Sequence, residues 1–106
     1  MNFSVPSPDQ ALAGLRAIKT VVTAARPLDS TRSALISASQ KHVLQTNHDF
    51  DQLEPITPEA LAEAIVEPRL RDQMGRALCL YVMIPDAPAR AEVNLARRFV
   101  GALVAL

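Results

Sequence analysis

Apolar residues recur along this chain at three- and four-residue steps, and the breaks between the apolar runs are marked by proline. Leu12, Leu15, Ile18, Val22 and Ala25 form the first stripe, preceded by Ser7-Pro8-Asp9-Gln10. Serine there caps a helix, proline takes the first helical position where no N–H is needed, and Gln10 reaches back to the cap. Arg26-Pro27 ends the run, because proline disfavours the α conformation in its predecessor, so the spacing predicts a helix over 8–25. Asp29 or Ser30 caps a second helix with Leu35, Ile36, Ser39 and Val43 inward and Ser33, Ser37, Gln40 and Lys41 outward.

The polar segment TNHDFDQLEP reads as an ordered loop pinned to the core by Phe50, Leu53 and Ile56. Thr57-Pro58-Glu59 then opens a short third helix that Glu67-Pro68 closes, and Pro68 starts a fourth. The fourth turns apolar on every side by residue 77 and is expected at the centre, with Gly75 marking a close approach of a neighbour. After Pro85-Asp86-Ala87-Pro88 a fifth helix carries Val93, Ala96, Val100 and Leu103 inward, with Arg90, Asn94 and Arg97 outside. The pattern predicts an all-α, compact bundle of about five helices, two helical hairpins around a central apolar helix. Residues 1–106 form a single domain, either alone or as part of a longer protein.

Composition supports this reading. With no Trp, one Tyr and three Phe, the interior must be built from Leu, Val, Ile and Ala, which suits packed helices better than a sandwich or barrel. Eleven basic and eleven acidic side chains cancel, which disfavours nucleic acid as a partner. The start MNFSVPSPDQ lacks the pattern of a secretory signal, and the apolar runs 77–84 and 99–106 are too short to span a bilayer. A cytoplasmic location without membrane association is therefore expected. Cys79, inside ALCLYVMI, reads as a small buried hydrophobe.

Pro27-Leu28-Asp29 before one amphipathic helix and Pro85-Asp86 before another give a faint internal echo, as if the chain held two related hairpins. The element order, with DQLEPITPEALAEAI, PRLRDQMGRALCLYVMIPDAP and RRFVGAL, resembles the TerB-like domains associated with tellurite resistance proteins over roughly residues 8–104. That resemblance implies two hairpins, each with an Asp-Gly-type turn followed by an acidic residue, at positions implicated in divalent metal binding. Carried over, those positions are Asp29, Asp86 and Glu92. The departures are specific: neither Asp precedes Gly, Arg32 stands in the first hairpin with no acid in the next helical turns, and Pro88 replaces a polar residue. A hard cation wants several converging oxygens, so the metal function is expected to be lost, with no cofactor, and a scaffold to remain.

Other chemistry is sparse. His42, His48, Asp49, Asp51 and Glu54 form the densest group of potential ligands, but without a glycine for the sharp turn or a shared helix face they read as a solvated loop. No nucleophile, base and orienting acid fall into a recognisable local signature, so no enzymatic activity is expected. Arg69, Arg71, Arg76, Arg90, Arg97 and Arg98 read as solvated helix faces. On the fifth helix Leu95, Phe99 and Leu106 form a second apolar line that is either core or a partner surface, with Arg97 and Arg98 at its rim. The expected function is a non-catalytic protein-interaction or scaffolding module that buries Leu95, Phe99 and Leu106 against a protein partner or a second copy, with Arg97 and Arg98 setting orientation at the rim. The alternatives are a divalent-metal-binding or sensing domain and a small subunit that completes a larger enzyme.

Overall fold

A computed structural model describes residues 6–24, 30–40, 52–83 and 90–104. They form five helices in the order α1 (Pro8–Val22), α2 (Ser30–Ser39), α3 (Pro58–Ala64), α4 (Pro68–Met83) and α5 (Arg90–Val104), with no strand among the described residues. The all-α, five-helix reading of the sequence is the observed architecture.

Local signals act as the sequence indicates. The Ser7 backbone N–H donates to Gln10 Oε1 at 2.9 Å while the Gln10 N–H donates to Ser7 Oγ at 3.2 Å, a complete capping box. Thr57 Oγ1 accepts from the Ala60 N–H at 3.1 Å, and Pro58 follows as the first residue of α3. Helix α1 stops at Val22, short of the expected residue 25, with Thr23 donating its backbone N–H to Lys19 O at 3.1 Å.

The central apolar helix is α1, not the fourth as the apolar run 77–84 suggested. Ala11, Ala13, Gly14, Leu15, Ala17, Ile18, Val21 and Val22 are all buried, and α1 packs against α3, α4 and α5. Helix α4 buries Leu70, Leu78, Tyr81 and Val82 but turns Cys79 and Leu80 to the surface, so the expectation of a buried thiol is corrected. A helix of period 3.6 that buries 78, 81 and 82 must present 79 and 80 outward, however apolar they are. A Cβ on Gly75 would meet Val100 Cγ2 at an ordinary 3.8 Å, so that glycine does not mark an obligatory approach. A Cβ on Gly14 would lie 2.9 Å from Met74 Sδ, a contact that the flexible Met74 side chain can relieve by moving.

The segment before α3 is pinned to α1 partly as expected. Ile56 is buried and Leu53 packs partly against the core, while Phe50 lies outside the described residues. Polar ties add to this: Arg16 donates to Glu54 O and Pro55 O at 3.1 and 2.9 Å, Lys19 to Leu53 O at 2.9 Å, and the Ile56 N–H to Thr20 Oγ1 at 3.1 Å. Cations on α1 thus satisfy loop carbonyls that form no helix or strand ladder.

Candidate functional site

Two features of this fold bear on function: a buried ion pair and an apolar groove. The ion pair grows out of α2 and α5. The inward positions of α2 are Arg32 and Ile36, with Gln40 buried just past its end, and those of α5 are Glu92, Ala96, Phe99 and Leu103, so a charged residue heads each inward stripe. Arg32 is 1% exposed and Glu92 0%, and Arg32 Nη1 lies 2.5 Å from Glu92 Oε1. The same guanidinium donates from Nη1 to Val22 O at 3.3 Å and from Nη2 to Val82 O at 3.4 Å. Those carbonyls belong to the last turns of α1 and α4, where no intrahelical donor remains and the helix dipole is negative. One side chain of α2 therefore joins the C-terminal ends of two helices to the first turn of a third.

This placement decides several expectations. Glu92, carried over as a metal position, is engaged by a guanidinium, and a divalent ion at its carboxylate would have to share the pocket with that positive charge. The residues present do not fit a divalent metal there. Asp29 and Asp86 lie outside the described residues, as do His42, His48, Asp49 and Asp51, while Glu54 is exposed. Among the described residues no group of three or more His, Cys, Asp or Glu side chains converges.

The interaction line expected on α5 is also corrected. Phe99 is fully buried in the core and cannot meet a partner, Leu95 is half-buried against that core, Arg97 and Arg98 are exposed, and Leu106 lies outside the described residues. The physical reason is Glu92. An apolar stripe drawn on Val93 and Val100 leaves the acid outside, whereas the ion pair turns Glu92 inward and brings Phe99 with it, seven residues on. Gln40, one residue past the end of α2 and expected outward, is buried as well, at four-residue spacing from Arg32 and Ile36.

Among the arginines, Arg69, Arg76, Arg90, Arg97 and Arg98 are exposed as expected, and Arg76 forms a surface pair with Asp72 at 3.0 Å. Arg71 is different. Its Nε donates to Ile65 O at 2.6 Å, Nη2 to Ala62 O at 2.7 Å and Nη1 to Leu103 O at 3.2 Å, closing the end of α3 onto α5.

The second feature is a groove of about 180 Å³ between α1 and α4. Gly14 and Ile18 form one wall, Met74, Ala77 and Tyr81 the other, and Leu35 of α2 contributes from the side. The amides of Gln10 and Gln73 and the hydroxyl of Tyr81 are the polar side-chain groups of an otherwise apolar lining. Leu80, 59% exposed, stands at its edge. Scattered exposed leucines are ordinary, but one beside an apolar hollow forms a continuous apolar patch. An engineered cavity of roughly 150 Å³ takes a benzene ring, so this groove has room for one large apolar side chain. No signal along α4 alone reveals it, because residues of α1, α2 and α4 line it together.

No protein-family model, curated protein or solved structure matches the chain. No helix of the described residues is long and apolar enough to cross a membrane.

Proposed function

We propose that this chain is a non-catalytic protein-interaction or scaffolding module of TerB-like kind that receives one apolar side chain of a helical partner in the groove between α1 and α4. The observation that carries the reading is the groove itself, apolar, sized for one side chain and edged by exposed Leu80. A partner helix laid along α4 would insert one anchor residue and cover Leu80, the usual arrangement of an amphipathic helix in a hydrophobic groove. The order of five helices in two hairpins supports the TerB-like resemblance, and the engagement of Glu92 by Arg32 speaks against the metal-sensing alternative. Exposed Arg97 and Arg98 on α5 remain available to an acidic partner surface, away from the buried Phe99.

The test is quantitative capture of partners on the full chain and on two variants, Leu80→Asp and Ala77→Phe. The first places a charge at the groove edge and the second fills the hollow, and both should keep the wild-type melting temperature because neither residue is fully buried. Native mass spectrometry of the chain alone reads self-association in the same way. A partner or second copy retained by the wild type and lost by both variants is the expected result. Equal retention by all three proteins, or none by the wild type, overturns the reading.

A further inference from the structure

The ion pair sits where two matched halves of the chain meet. Helices α1 and α4 open at Pro8 and Pro68, α2 and α5 at Ser30 and Arg90, and each pair has the same sixty-residue offset that separates Arg32 from Glu92. Val22 and Val82, whose carbonyls accept from the two terminal nitrogens of that guanidinium, share the offset as well. The three acceptors given by these contacts are all oxygens: two helix-terminal carbonyls and one carboxylate.

We propose that this junction is a cation site for a planar guanidinium, and that the Arg32 side chain is its tethered resident ligand. Two separate terminal nitrogens serve oxygens from three helices, a division of donors that a flat fork makes and a single ammonium nitrogen does not. A divalent ion takes six or more oxygens, more than the three that these contacts supply. The proposal concerns the junction of the hairpins and is independent of the groove and of any partner.

Arg32→Ala removes the side chain beyond Cβ, and ethylguanidinium has the shape of what is lost. The full-length variant and the wild type are melted with low-millimolar ethylguanidinium, and separately with ethylammonium, Mg²⁺ and Ca²⁺. A saturable rise in Tm of the variant with ethylguanidinium, absent from the wild type and from the other three cations, is expected from binding to the folded state alone. If the variant is unfolded by itself, the same comparison is read as helical circular dichroism, and ethylguanidinium is expected to restore it. No variant-specific gain with ethylguanidinium overturns the site. An equal gain with ethylammonium shows a point-charge site instead, and a gain with Mg²⁺ or Ca²⁺ shows a metal site that Arg32 merely blocks; either result overturns the assignment.

Discussion

At the scale of single residues, Arg32 and Glu92 matter more than their small number suggests. Two fully buried charges are expensive to desolvate, and their attraction together with the carbonyl contacts offsets much of that cost. Removing either partner takes the opposite charge away from a fully buried group, a loss of about 3–5 kcal/mol. A chain of this size has roughly 5–15 kcal/mol of stability in total. Arg32→Ala and Glu92→Ala are therefore each expected to remove a large share of that stability. The double variant should lose far less than the sum of the two, since it strands no charge. Urea unfolding of the three variants and the wild type measures the coupling, and additive losses would show that the two side chains do not act as a pair.

At the scale of elements, three of the helix starts follow from the sequence because the signals are local. Ser7 with Gln10, Thr57 with Pro58, and Pro68 each act within one turn, and each works whatever the rest of the chain does. The inward faces of α2 and α5 were harder to read, because a pattern of apolar residues has no place for Arg32 or Glu92 until the two are known to meet. Phe99 changed from surface to core for that reason, and Arg71 changed from solvated face to a tie between elements. Arg71 reaches carbonyls of Ala62, Ile65 and Leu103, which close the C-terminal end of α3 against α5. Hydrogen bonds from a charged group are worth about 1.5–3 kcal/mol, so Arg71→Ala should lower stability by an amount in that range. Arg71→Lys should recover little of it, because one ammonium nitrogen cannot span three carbonyls. Denaturant midpoints distinguish this from a solvated arginine, for which both substitutions would be nearly neutral.

For the whole molecule, one offset runs through features that are otherwise separate. The faint echo in the sequence rests on proline and aspartate, which helix boundaries favour in any protein, and so it cannot fix an offset. In the structure helix starts, paired carbonyls and paired side chains share an offset of sixty residues, although among the described residues α4 packs closely on α5 and α1 makes no comparable contact with α2. If Arg32 and Glu92 occupy equivalent places on either side of an axis, their environments are interchangeable in a way that those of an arbitrary ion pair are not. Arg32→Glu alone buries two acids together, and Glu92→Arg alone buries two bases, so both single variants are expected to unfold or nearly so. The double variant, with Glu at 32 and Arg at 92, returns opposite charges to the junction and leaves the new guanidinium between the same two carbonyls, of Val82 and Val22. It is expected to regain most of the wild-type melting temperature, and urea unfolding should give a coupling of several kcal/mol relative to the two single changes. A double variant no more stable than either single one would show that the two halves are not equivalent at their junction. The common offset would then reflect helix lengths alone.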